Sequence, residues 1–114
     1  MSECLFCRIV RRDMPAEITA EDHELVAFKD IHPQAPIHFL VVPKTHIAKL
    51  SDLTDTTAQV VAHATVMANR LATQAGIVEQ GYRLVVNCGA QAGQSVEHLH
   101  VHVLGGRPMG WPPG

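Results

Sequence analysis

The chain has 114 residues, 46% of them apolar and 18% charged, with a net charge of −2. That is the length of one domain with material for a real core, and it lacks the basic excess of a nucleic-acid binder. No run approaches the roughly 18 apolar residues of a membrane span, and an N-terminus with Glu3 and Cys4 does not read as a signal peptide, so the expectation is a cytoplasmic protein that binds neither nucleic acid nor membrane. Cys4, Cys7 and Cys88 form an odd set in a reducing compartment, which argues against a disulfide framework.

Taken along the chain, Cys4-Leu5-Phe6-Cys7 has the two-residue spacing of half a zinc site and needs two more ligands; without them it is a reduced pair. Glu24–Lys29 reads as a strand closed by a turn at Asp30-Ile31-His32-Pro33, and Ile37–Val42 as a strand ended by Pro43. From Ser51-Asp52 the period becomes helical through Leu53, Val60, Val61, Ala64, Met67, Ala68, Leu71 and Ala75. Ser51 or Asp52 is the expected N-cap and Gly76 the stop. Tyr82–Cys88 is a third strand, followed by a Gly-rich loop from Gly89 to Gly93 and a fourth strand carrying histidines. Short connections favour an antiparallel sheet with one main helix against it, an α+β domain. The tail from Arg107 to Gly114 is too rich in Pro and Gly for regular structure. Its Trp111 is expected to dock, either on its own domain or across a dimer interface.

His98-Leu99-His100-Val101-His102-Val103-Leu104 alternates rings with apolar residues, so an extended strand turns all three imidazoles to one face and Leu99, Val101 and Val103 to a core. Alternate residues lie roughly 6.6 Å apart, which puts about 13 Å between His98 and His102. His100, with a neighbour on each side, is best placed to meet a reacting atom. Neutral imidazole is a nucleophile toward phosphorus and a proton carrier near neutral pH. Upstream, the backbone N–H groups of Gly89 to Gln94 can form an anion-binding nest, and Ser95 adds a hydroxyl. The competing readings are a His-x-His metal site, weakened because Glu97 falls on the opposite face, incidental surface histidines, and a nucleotide-binding strand without turnover.

His98 to Leu104 resembles the signature of the histidine triad (HIT) superfamily, and the third histidine sets it apart from the transferase branch, which carries Gln there. Gly93-Gln94-Ser95-Val96 through Gly105-Gly106-Arg107, ending Trp111-Pro112-Pro113-Gly114, looks like the Hint branch. Asp30 to Pro36 with His38 to Val41, Pro43-Lys44 with His46, and Tyr82 to Asn87 match as well, so the resemblance covers nearly the whole chain, read as a single HIT domain over 1–114.

The resemblance implies a five-stranded antiparallel sheet with one main helix, paired in a homodimer as a ten-stranded sheet, with the tail 105–114 packing near the active site. It implies a purine nucleoside phosphoramidate hydrolase, of the adenosine 5′-monophosphoramidase type, acting on AMP or GMP derivatives. By motif position His100 attacks the α-phosphorus and forms a nucleotidyl-histidine intermediate, which water resolves. His102, Gly93, Gln94 and Ser95 contact the phosphate, and Ser95 also lies near the leaving group. His38 and His98 support proton transfer and ring orientation. Asn87 lies beside the phosphate, Asp30 holds the ribose hydroxyls, and Phe6, Ile9, Ile31 and Leu40 line the base pocket. Catalysis then needs no cofactor. Some bacterial members beginning this way complete a structural zinc site with the equivalents of His46 and His98, alongside Cys4 and Cys7. Cys88 is expected to be a packed core thiol. A nucleotide-binding regulatory protein with incidental hydrolysis, and a dinucleoside polyphosphate hydrolase, are the alternatives.

Overall fold

The computed structural model describes residues 4–114. The leader expectation rested partly on Glu3, which lies outside them. Two helices and five strands follow in the order α1 (Leu5–Val10), β1 (Ile18–Glu21), β2 (Leu25–Lys29), β3 (Ile37–Pro43), α2 (Gln59–Ala75), β4 (Tyr82–Val85) and β5 (Val101–Gly105). The strands form one antiparallel sheet in the order β1-β2-β3-β5-β4. Among the described residues no helix is long and apolar enough to cross a membrane.

Period-two alternation sends each strand's side chains to two different layers. Leu25, Ala27, Phe39, Val41, Val101 and Val103 pack with Val60, Ala64, Met67, Ala68 and Leu71 of α2. On the other face Val26, Phe28, Leu40 and Val42 pack with Phe6 and Ile9 of α1. Burial on both faces explains why β2 and β3 read as continuous apolar runs. Helix α1, six residues long, covers β2 and β3 and reaches His98 and His100 through the edge of Phe6. His102 and Leu104 of β5, on that same face, stay half-buried. The open part of this face holds the candidate site.

Several expectations need correction. The long helix starts at Gln59, not near Ser51, and its N-cap Ala58 offers no side-chain cap. Ser51 and Asp52 lie instead in a 3₁₀ turn, Leu50–Asp52. The intervening threonines compete for the backbone: Thr54 N–H donates to the Thr57 hydroxyl at 2.9 Å and Ala58 N–H to the Thr54 carbonyl at 2.8 Å. The stop is as expected, with Gly76 left-handed at φ 75° and Ile77 N–H returning to the Ala72 carbonyl at 3.1 Å.

β4 ends at Val85, paired with His102, rather than at Cys88. Its would-be partner bends away: His98 N–H turns back to the Val96 carbonyl at 2.9 Å, and Leu99 N–H reaches the Ile47 carbonyl at 2.6 Å. His98 and His100 therefore precede β5, and only His102 lies on it. The alternation still sends Leu99, Val101 and Val103 into the core. Helix α1 and strand β1 carry no repeat long enough to read as periodic. Trp111 does not dock on its own domain; it is 83% exposed. Cys88 is half-buried, not a packed core thiol. Its neighbour Ser51 holds it below the ordinary thiol range by hydrogen bonding, with Lys49 adding to the effect.

Candidate active site

The hydrogen-bond partners fix which nitrogen of each ring carries its proton. A carbonyl only accepts and an amide N–H only donates, so each such contact settles a tautomer. His98 donates its Nε2–H to the Pro43 carbonyl at 2.7 Å, which leaves Nδ1 a lone pair. His100 donates its Nδ1–H to the carbonyl of His98 at 2.7 Å, which leaves Nε2 as the free lone pair. His38 accepts the Gln34 N–H at Nδ1, 3.0 Å away, so its proton lies on Nε2. That nitrogen faces Nδ1 of His102 at 2.9 Å and a carboxylate oxygen of Asp30 at 3.4 Å. His102, accepting at Nδ1, carries its proton on Nε2.

Sheet register supplies this last pairing. His38 is opposite Leu104 and Leu40 opposite His102, so His38 and His102 are diagonal neighbours on one face, within reach for long side chains. Asp30 follows the last residue of β2 and donates its N–H to the His38 carbonyl at 3.0 Å. The Asp30 side chain also closes its own turn, accepting the His32 N–H at 2.8 Å.

Burial pushes the His102 ring down to about 4, helped by His100 and His38 and opposed by Asp30. His38 is lowered by burial against the pull of Asp30. His98 is lowered by burial, with the Pro43 carbonyl opposing and His46 and His100 adding to it. Three neutral rings suit the tautomers their partners dictate.

Two hollows meet at His102. The first, about 270 Å³, is lined by Leu5, Phe6, Ile9, Phe28, Leu40 and Ile31, then by Asp30, His32, Ser95, Val96, His100 and His102, with Met14, Pro15 and Ala16 at its far side. An apolar pocket with a few converging polar groups is the usual form of a small-molecule site. The edge of Phe6 meets His100 with ring centroids 5.1 Å apart and His98 at 6.0 Å. The second hollow, about 520 Å³, is lined by His38, Asn87, Arg83, Val85, Gln34, His102 and Leu104, and by Arg107, Met109, Pro113 and Gly114 of the tail.

Most sequence-derived candidates thus converge. Phe6, Ile9, Ile31, Leu40, Asp30, Ser95, His100 and His102 share the first hollow, and His38 and Asn87 line the second. Gly93 and Gln94 line neither. Gly93 is left-handed at φ 95° and closes the loop. The Gln94 amide braces it, donating to the Ala48 carbonyl at 2.7 Å and accepting the Gly89 N–H at 2.9 Å. His98 lines neither hollow and is wholly buried. Sequence reasoning missed Leu5, Met14 to Ala16, Phe28 and Arg83. Of these, Phe28 alone carried a signal, as part of the apolar run of β2.

Behind His98, four ligand atoms converge. Nδ1 of His98 lies 3.2 Å from Sγ of Cys4 and 3.5 Å from Sγ of Cys7, and Nδ1 of His46 lies 3.5 and 3.2 Å from the same sulfurs. The two Nδ1 atoms are 3.2 Å apart, and all four atoms lie within 4.8 Å of one another. Four metal-ligating atoms so close, drawn from three distant segments, form a cluster able to hold a metal ion.

Comparison with known proteins agrees with this geometry. The HIT domain family profile matches residues 11–109. An uncharacterized HIT-like protein of Synechococcus elongatus is 47% identical over 115 residues, covering 100% of both chains. The crystal structure of a HIT family hydrolase from Legionella pneumophila superposes with a TM-score of 0.96 at 47% identity, covering 98% of this chain and 100% of that one. A histidine triad nucleotide-binding protein from Candida albicans superposes at 0.81 with 28% identity, covering 96% and 83%. The chain belongs to the HIT domain family.

Proposed function

We propose that the protein is a purine nucleoside phosphoramidate hydrolase of the Hint type, acting through a nucleotidyl-histidine intermediate on His100. One observation carries this reading. With its Nδ1–H bound to the His98 carbonyl at 2.7 Å, His100 has its lone pair on Nε2, and the ring lines a hollow sized for a small ligand. Nε2 attacks the α-phosphorus, the P–N bond breaks, and the amine leaves with a proton. Water then attacks the phosphorus, the histidine–phosphorus bond breaks, and nucleoside monophosphate departs. Phosphoryl transfer depends on positioning and charge stabilisation more than on covalent machinery. In this reading the His102 Nε2–H and the Ser95 hydroxyl are the donors that meet phosphoryl oxygens and the leaving nitrogen. His38, between Asp30 and His102, sets the tautomer of His102 and supports proton movement. Asp30 takes the ribose hydroxyls and the apolar wall takes the base. Asn87 borders the phosphate from the second hollow, and the Gln94-braced loop carries Ser95. His98, with both nitrogens committed, orients His100. The neighbours named as a hydrolase and as a nucleotide-binding protein support the same class.

Zinc fits the Cys4, Cys7, His46 and His98 cluster. Tetrahedral bonds of about 2.3 Å to sulfur and 2.0 Å to nitrogen imply S···N edges of about 3.5 Å and an N···N edge of about 3.3 Å. The observed 3.2–3.5 Å and 3.2 Å are close to these. Cys4, Cys7, His46 and His98 would together hold such an ion, whose part would be structural. We also read the chain as a cytoplasmic homodimer with a ten-stranded sheet. The edge position of β4 and the 83% exposed Trp111 support the dimer.

The test is hydrolysis of adenosine 5′-monophosphoramidate by purified protein, with acid-quench mass spectrometry for an adenylyl group on His100. The expected result is that His100→Ala abolishes turnover and the adduct while AMP still binds. Full activity in that variant would overturn the assignment. Negligible turnover with firm binding by the unaltered protein would favour the regulatory nucleotide binder.

A further inference from the structure

The metal cluster and the apolar hollow share one short helix. Cys4 caps α1, its sulfur accepting the Cys7 N–H at 3.1 Å. Phe6 lies between the two cysteines, and Phe6 and Ile9 are the buried residues of α1 and part of the hollow's wall. A helix of six residues is far below the roughly 12–15 needed to persist alone in water. Its order must come from tertiary contacts. One source is the burial of Phe6 and Ile9 on Val26, Phe28, Leu40 and Val42. The other is the cluster that ties Cys4 and Cys7 to His46 after β3 and to His98 before β5.

The catalytic side is built differently. His98 retains its hydrogen bond to the Pro43 carbonyl, and the carbonyl that holds His100 is backbone. His38 and His102 hold one another across β3 and β5. None of these hydrogen bonds passes through α1 or through a metal ligand's Nδ1; α1 meets His98 and His100 through the edge of Phe6, a packing contact.

We propose that Cys4 and Cys7 are positioning residues for nucleobase recognition: metal held by the cluster fixes α1, and α1 presents Phe6 and Ile9 as the wall against which the base rests. This rests on the zinc reading of the cluster and separates two functions within one pocket. Loss of metal lets α1 loosen and weakens the grip on the base, while the phosphate-facing histidines stay in place. The consequence is a split between affinity and turnover. Loss of a metal that only raised global stability would lower the fraction of folded protein and leave the Kd of the remainder unchanged.

The experiment uses the full chain, zinc-loaded and after chelation, with metal content measured in each. AMP and ribose 5-phosphate binding are followed by calorimetry, and amide exchange over residues 4–16 by mass spectrometry. Expected on chelation is a Kd for AMP weakened about tenfold, as for loss of one aromatic contact with a base. Ribose 5-phosphate affinity should stay within about twofold, since it has no base to lose. Exchange should rise in α1 but not in β3 or β5, KM for the phosphoramidate should rise with little change in kcat, and re-added Zn²⁺ should reverse all of it. Cys7→Ser should behave like the chelated protein without chelator. If AMP and ribose 5-phosphate weaken alike, or neither changes although zinc has left, the proposal fails and the zinc site stands. If the purified protein binds no zinc at all, both fail. The binding comparison decides the matter even should the phosphoramidate prove not to be a substrate.

Discussion

Replacing His102 with Gln should make the protein less sensitive to acid. An ordinary histidine titrates near 6.5, and His102 is held down to about 4, first by burial and then by His100 and His38. The sign follows from linkage. Between those two values the unfolded chain takes up a proton that the folded one refuses. The stability tied to this ring is therefore intact above about pH 6.5 and is lost as pH falls toward 4. A gap of that size sets a ceiling of about 3.4 kcal/mol. The ring borders two hollows and is only half-buried, so solvent screening brings the expected effect to about 1–2 kcal/mol. Glutamine does not titrate, is close in size, and offers an oxygen to accept the proton that His38 presents at 2.9 Å. Urea unfolding of both proteins at pH 7 and pH 4.5 measures the difference directly. Contributions of His38 and His98, also lowered, largely cancel in the comparison. His102→Gln should lose about 1–2 kcal/mol less than the unaltered protein over that interval. Equal losses would show that the ring titrates normally and that its environment has been misread.

Gly105→Ala should destabilise by about 1–3 kcal/mol through overpacking. An ideal Cβ there lies 2.5 Å from Cδ1 of Ile77 and 3.1 Å from its Cβ, so Ile77→Val should recover part of the loss in thermal melts. His63 shifts the pH dependence the other way. Its ring is raised by Glu24 first, and then by Asp22 at 2.7 Å, so it stabilises at low pH and the gain fades as pH rises through its folded value. His63→Gln should therefore remove stability at pH 6 and little at pH 9, and equal losses at both would count against the ion pairs. Phe6→Ala should cost about 3–5 kcal/mol in urea unfolding as a buried aromatic truncation. A loss under about 1 kcal/mol would mean that α1 closes over the space left behind.

The sheet was legible in the sequence because alternation and continuous apolar runs follow from burial on one or both faces. β2, β3 and the core residues of β5 declared themselves in this way. The long helix was legible in its packed half, where Val60 to Ala75 keep a 3.6-residue period. It was misplaced at its start because Thr54 to Ala58 imitate a first turn while bonding locally. Helix α1 was hidden because six residues cannot show a period. The role of its aromatic depends on contacts with Phe28 and His100, ring centroids 5.4 and 5.1 Å away. Cys4 and Cys7 signalled a metal by spacing alone. The distances to His46 and His98 that complete the set arise from pairings 39 to 94 residues apart, beyond what local pattern can supply.

The histidine row is where pattern and geometry part most usefully. Equal spacing suggests three equivalent rings on a strand, yet the rings divide. His98 precedes the strand with both nitrogens committed, to the Pro43 carbonyl at 2.7 Å and to the cysteine cluster. Its backbone carbonyl accepts the Nδ1–H of His100 at 2.7 Å. His102 lies on β5 and looks across the sheet to His38. In the function proposed above, a proton entering or leaving the site has a path through His102, His38 and Asp30. The partner of His102, His38, is 64 residues away in sequence; local pattern alone shows it as a strand histidine, and only the family resemblance marks it. Register placed it there: because Leu40 pairs with His102, the residue two positions earlier on β3 falls diagonal to that ring. A shift of one residue in that pairing would turn His38 to the α2 face and leave His102 without its donor.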